Sequence, residues 1–136
     1  MPEEPIKHYW LYALRLEQGK YYIGITSKKD PHERIQEHLN GFYTAQWVKK
    51  YKAIGLDHQI IDLGIITQKE AYEQENHRTT QYMKRYGFQN VRGGKFNYSG
   101  KYVKIGIWYG PRDDFLMILG VLGMMACMMG LFLRFY

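Results

Sequence analysis

The chain has 136 residues but only one cysteine, Cys127, and four prolines. A single thiol closes no intrachain disulfide and lacks companions for a thiolate metal site, which excludes a disulfide-stapled secreted scaffold and a zinc finger. Acidic residues are in the minority. Thirteen Asp and Glu face 19 Lys and Arg, a net charge of +6, which favours a polyanionic partner, either nucleic acid or anionic lipid head groups. The N-terminus, MPEEPIKHYW, lacks the basic stretch and apolar run of a secretory signal. Internal repeats and low-complexity tracts are also missing. One packed domain fits this length, so any additional function falls to a tail or a surface.

Two features are abundant. There are 13 tyrosines, amphipathic and β-favouring, as expected of a small sheet with half-buried rings. From Phe115 to Leu133 the sequence FLMILGVLGMMACMMGLFL carries no charge, between Asp113-Asp114 and Arg134. As a helix this run reaches roughly 28 Å, close to the thickness of a bilayer's hydrocarbon core, and it predicts one transmembrane helix.

Local signals order the rest. HYWLYALRL (8–16) and KYYIGIT (20–26) are β-favouring runs joined by Glu17-Gln18-Gly19, a hairpin signature. Asp30-Pro31 supplies an N-cap and a first-turn proline for a helix stopping near Asn40-Gly41. TAQWVKKY (44–51) predicts a short second helix, and DHQIIDLGII (57–66) a third strand. Thr67 and Glu70 then form a capping-box pair opening a long helix that ends at Gly87. The expected fold is α+β, with a small three-stranded, mostly antiparallel sheet flanked by helices and one C-terminal transmembrane helix. Residues 1–7 read as a tail, 8–96 as the domain, 97–114 as an aromatic and basic juxtamembrane connector, and 115–133 as the span. Trp108 and Tyr109, just before the span, suit the head-group layer.

Three places carry candidate chemistry. On the long helix, Ala71, Glu75, Arg78, Thr79, Tyr82 and Tyr86 share one face, and the apolar members turn that face inward. A carboxylate there needs a cation, so Glu75 calls for either an arginine partner or a metal ion. On the first helix Arg34 and His38 lie four residues apart on one side. They are either a solvated polar face or a phosphate-binding guanidinium beside a proton-exchanging imidazole. In the hairpin, Tyr12 precedes Tyr21-Tyr22-Ile23-Gly24. Only one of the two adjacent tyrosines can point at a given site, and Gly24 leaves room for a close approach.

Taken together, these residues resemble the GIY-YIG nuclease family in order and spacing. Trp10-Leu11-Tyr12 stands where that family has Gly-Ile-Tyr, and Tyr22-Ile23-Gly24 reproduces the second half. Arg34 matches the helix arginine, with His38 in the RxxxH arrangement of small bacterial members. Glu75 matches the metal-binding glutamate, and Asn90 the downstream asparagine within Asn90-Val91-Arg92-Gly93-Gly94. AQWVKKYK, from Ala45 to Lys52, is also similar to the small stand-alone members. The resemblance spans about residues 8–96. It departs at Trp10, in place of the first glycine, and at Ile25, where some repair members carry lysine.

The resemblance implies a membrane-anchored endonuclease that hydrolyses DNA phosphodiesters. Tyr12, Tyr22, Arg34, His38, Glu75 and Asn90 would be its catalytic residues, and Glu75 would hold Mg²⁺ or Mn²⁺. The base is Tyr12 or His38, and Asn90 would orient the glutamate or its loop. Lys49, Lys50 and Lys52 are candidate DNA contacts. The alternatives are an inactive nuclease-like module tethering DNA to the membrane and a small membrane subunit binding lipid or a partner. Lys95, Lys101, Lys104 and Arg112 before the span outnumber Arg134 beyond it, so the positive-inside rule predicts a cytoplasmic domain on a single-pass cell-membrane anchor. Two small-xxx-small pairs, Gly123 with Cys127 and Ala126 with Gly130, would allow the span to pair with a second copy.

Overall fold

The computed structural model describes residues 3–105 and 108–134. They fall into two compact units, one running through Ser99 and the other beginning at Gly100.

The first unit is α+β. Strand β1 (Ile6–Leu16) turns at Glu17–Gly19 into β2 (Tyr21–Thr26), and the two pair antiparallel with Tyr12 opposite Gly24 and Leu14 opposite Tyr22. The turn is made by consecutive left-handed residues, Gln18 at φ 59° and Gly19 at φ 68°, which matches the twist of the flanking strands. Helix α1 (Pro31–Asn40) starts where Asp30 accepts from His32 N–H and stops at Gly41, whose φ of 76° reverses the chain. The short helix α2 (Gln46–Lys50) follows. Strands β3 (Ala53–Leu56) and β4 (Ile61–Thr67) lead to helix α3 (Gln68–Tyr86), opened by the reciprocal Thr67–Glu70 capping box. Strand β5 (Val91–Gly93) completes the unit.

The sheet has five strands and is mixed, which corrects the three-stranded expectation. Of the apolar segment 57–66, residues 57–60 make a turn and the expected strand begins at Ile61 as β4. The added strand is β3, just before the segment, and β3 and β4 share one edge of β1. There β4 runs against Ile6–Leu11 and β3 against Leu14–Leu16. On the other side β5 pairs parallel with β2, bringing Val91 beside Tyr21 and Gly93 beside Ile23. β1 also starts within the expected tail, at Ile6.

Alternation along β1 builds two cores. Tyr12, Leu14 and Leu16 pack with Ile35, Trp47 and Val48 from α1 and α2. Leu11 and Ala13 pack on the opposite face with Ile23, Tyr82, Met83 and Val91. Arg92 is 1% exposed. Its Nε–H donates to Tyr98 O at 2.6 Å, its Nη1 donates to Phe88 O at 2.8 Å, and the guanidinium carbon lies 4.3 Å from the centre of the Trp47 ring. The cation thus ties the end of the unit to its core.

The second unit holds a hairpin of β6 (Tyr102–Ile105) and β7 (Trp108–Pro111), followed by α4 (Arg112–Arg134). The hairpin lies within the segment read as an aromatic and basic connector. Helix α4 begins at Arg112, three residues before the charge-free run. Its segment Arg112–Gly130 is long and apolar enough to cross a membrane. The side chains of Trp108 and Tyr109, expected in the head-group layer, lie outside the described ones.

Candidate active site

Tyr12 sits in the middle of β1, 2% exposed. Its ring lies over the backbone of Gly24 on β2, where an added Cβ would fall inside the van der Waals envelope of the phenol. A glycine at position 24 is the condition for Tyr12 to lie flat on the hairpin. Tyr22 shares this face, while Tyr21 turns to the other and stacks on Tyr86 with ring centres 4.1 Å apart. The alternation that lets one of the two tyrosines reach the site selects Tyr22.

Helix α1 brings up the next groups. Ile35 and His38, three residues apart, are its buried face. The Tyr12 hydroxyl is 2.7 Å from His38 Nε2, and His38 Nδ1 is 2.5 Å from Thr44 Oγ1. A protonated phenol presents its hydrogen to Nε2, which leaves the Nδ1 hydrogen for Thr44. The His38 ring also lies 5.4 Å from that of Tyr22. Arg34, one turn before His38, donates through Nη1 to Glu37 Oε2 at 2.6 Å and to Tyr43 O at 2.8 Å. Lys28 Nζ holds the other Glu37 oxygen at 2.8 Å. The guanidinium is thereby fixed near Tyr12, whose ionised form it favours.

Helix α3 supplies Glu75. Its residues Ala71, Glu75, Thr79, Tyr82 and Met83 are buried, so the inward stripe read from the sequence is present, although Arg78 and Tyr86 lie only partly within it. Glu75 accepts a hydrogen bond from the backbone of Gly94. Among the described residues it joins no ion pair, so the arginine partner is not what balances it. Asn76 buttresses the same loop, with its Oδ1 accepting from Lys95 N–H at 2.8 Å.

Burial dominates the electrostatics. It pushes Glu75 up to about 7, against the smaller opposing effect of the Gly94 hydrogen bond. Burial, assisted by Arg34, pulls His38 down to about 4, so the imidazole is neutral at pH 7. Tyr22 is pushed up to about 12 by burial and then by the Glu75 carboxylate. The Tyr12 phenol is driven far above its ordinary range by burial, with Tyr22 and Glu75 adding to the effect and Arg34 opposing it. These influences couple Tyr12, Tyr22, Arg34 and Glu75 electrostatically, and the Tyr12–His38 contact adds a fifth of the six expected catalytic residues.

The sixth lies elsewhere. Asn90 donates through Nδ2 to Tyr86 O at 2.7 Å and accepts from Lys20 Nζ at 2.7 Å. It closes the C-terminal end of α3 beside the start of β2. Gly94, the neighbour of Glu75, lies four residues further on, past the far end of β5, so Asn90 braces the loop and does not contact the glutamate. Lys49, Lys50 and Lys52 are exposed, and Lys50 lies over the Tyr51 ring at 5.4 Å.

Sequence reasoning missed Thr44, Glu37 and the Gly94 backbone. Each is a polar or small residue whose role depends on a partner brought in by the fold. Two grooves of about 510 and 560 Å³ flank α1, and neither is lined by Tyr12, Tyr22 or Glu75. No cluster of three or more His, Cys, Asp or Glu side chains able to hold a metal occurs among the described residues. A single buried carboxylate without a cation still fits a magnesium-like ion, which keeps most of its waters and takes remaining ligands from a substrate phosphate. In comparisons with known proteins, the chain matched no family model, no curated protein and no solved structure.

Proposed function

We propose that this chain is a GIY-YIG-type endonuclease hydrolysing DNA phosphodiester bonds, held at the cell membrane by α4. The observation that carries this reading is the approach of a buried, cation-less Glu75 to the Tyr12–His38 pair and Arg34, from helices packed on opposite faces of one sheet. A carboxylate, a proton acceptor and a guanidinium within electrostatic reach of one another support this reading, since phosphoryl transfer uses all three.

In this mechanism water attacks phosphorus and the 3′ oxygen departs opposite it. Tyr12 accepts the water proton as its own hydroxyl proton passes to His38 Nε2, so that a free phenolate, disfavoured by burial, never accumulates. Thr44 holds the His38 tautomer that can receive this proton. The imidazolium formed is opposed by Arg34 and by burial, and the entering phosphate supplies the negative charge that offsets both. Arg34 spends Nη1 on Glu37 and Tyr43, and directs other donors to a non-bridging oxygen. Glu75 would hold Mg²⁺ or Mn²⁺. Bound there, the ion would neutralise charge developing on the phosphoryl and leaving oxygens. Lys49, Lys50 and Lys52 would contact the DNA backbone.

The test is incubation of the full-length protein, in detergent, with supercoiled plasmid and Mg²⁺, beside Glu75→Gln and a chelator control. Nicking by the parent alone supports the reading, and equal nicking by Glu75→Gln removes the glutamate from it. For the membrane orientation, external protease on intact spheroplasts should spare the N-terminal unit, and its digestion would reverse the assigned topology.

A further inference from the structure

The loop between α1 and α2 carries two adjacent aromatics without an apolar environment. Phe42 is 68% and Tyr43 88% exposed. Tyr43 also adopts φ 49°, a left-handed conformation that costs an aromatic residue energy. What holds it is the hydrogen bond from Arg34 Nη1 to its carbonyl at 2.8 Å. One guanidinium therefore fixes the loop and lies beside Tyr12. Below the loop is the groove of about 510 Å³, lined by Phe42 and Tyr43 together with His32, Glu33, Gln36 and Asn40.

We infer that Phe42 and Tyr43 form a stacking platform for an unpaired base of the DNA strand whose phosphate meets Arg34. This inference rests on the nuclease reading and extends it to the substrate's structure. Flat exposed rings beside a phosphate-binding arginine suit a base, because every base offers a π-face while the backbone stays at the cation. The rim selects further. Asp30 and Glu33 repel a phosphate that would follow the groove, whereas the Glu33 carboxylate and the Gln36 and Asn40 amides accept the exocyclic amino groups of adenine or cytosine. A paired duplex keeps those edges in its stack, so the preferred substrate has a gap, flap or extruded base next to the cleaved bond.

The experiment uses full-length protein in detergent carrying Glu75→Gln, with gapped and fully paired oligonucleotides that contain 2-aminopurine beside the expected cut. Its variant is Phe42→Ser with Tyr43→Asn, since asparagine tolerates the left-handed backbone. The platform predicts quenching of 2-aminopurine by the parent on gapped DNA. The double variant should lose that quenching and about tenfold or more in affinity for gapped DNA, with paired DNA little affected. Unchanged quenching and affinity in the variant overturn the platform, as does a change in oligomeric state as its sole effect. Plasmid nicking by the wild-type chain is read separately. Nicking with no platform effect leaves the nuclease standing alone, and a platform effect without nicking leaves only base binding. Failure to bind either oligonucleotide overturns both.

Discussion

The Tyr12 hydroxyl lies 2.7 Å from His38 Nε2, and on the far side of the ring His38 Nδ1 meets Thr44. A proton leaving the phenol thus has one built acceptor. Tyr12→Phe should lower the cleavage rate by about 10²–10⁴-fold, the usual worth of positioned acid–base catalysis, with DNA affinity nearly unchanged. Thr44→Val should give a smaller rate loss that depends on pH. Single-turnover cleavage beside equilibrium binding checks both, and parallel losses in rate and affinity would make Tyr12 a substrate contact.

Gly24 faces the Tyr12 ring with no room for a Cβ. Gly24→Ala must displace either the ring or the hairpin, at about 1–3 kcal/mol for overpacking. The expected outcome is a lowered Tm and cleavage reduced toward that of Tyr12→Phe. Wild-type cleavage by a well-folded Gly24→Ala protein would show that the flat placement of the ring is dispensable.

Stability should report the two buried titrating groups with opposite signs. Glu75 ionises near 7 in the fold against an ordinary value of 4.5. The native state therefore holds the extra proton, and stability is lost as pH rises from about 4.5 through about 7. His38 protonates near 4 in the fold against 6.5. The unfolded state holds the extra proton, and stability is lost as pH falls from about 6.5 through about 4. Each amounts to about 3 kcal/mol at most, and in their common window they cancel. Thermal unfolding of the metal-free protein should show Glu75→Gln gaining on the parent as pH rises from about 4.5 to 7 and keeping that margin above, and His38→Gln losing less than the parent as pH falls from about 6.5 to 4. A Glu75→Gln advantage that does not vary with pH would remove the carboxylate's desolvation as its cause.

The three exposed lysines make a quantitative claim. Removing one lysine–phosphate pair should reduce the slope of log affinity against log salt by about 0.9 on duplex DNA. Replacing Lys49, Lys50 and Lys52 with alanine, singly and together, should lower affinity for all sequences alike and flatten that slope stepwise. An unchanged slope in the triple variant would put the DNA path elsewhere.

Local chemistry is the legible part of the sequence. The hairpin, the Asp30-Pro31 start, the Gly41 stop and the Thr67–Glu70 box each form within a few residues of one another, so their signatures are contiguous. The strand at 53–56 and the insertion of β5 are not legible, because they depend on which edges of β1 and β2 are vacant. β5 is only three residues long and contains arginine and glycine, a poor strand by composition. Arg92 itself reads as a surface cation, and carbonyls gathered from Phe88, Val91 and Tyr98 help make its burial tolerable. In the site, types and spacing lead to Tyr12, Tyr22, Arg34, His38 and Glu75. Asn90 matches in type and in order along the chain, but the parallel register of β5 sets it at the other end of the strand.

The same Arg92 decides where this chain can be cut. Its Nε–H donates to the carbonyl of Tyr98, one residue before the first unit ends at Ser99. A protease severing the chain just after Ser99 would leave the buried guanidinium tied to Phe88, Val91 and Tyr98 while separating the first unit from the second. A cut a few residues earlier would strip off one acceptor and loosen the Trp47 side of the core. Limited proteolysis should therefore distinguish two or three neighbouring peptide bonds: a cut just after Ser99 keeps the Arg92 acceptors together, and one before Tyr98 does not.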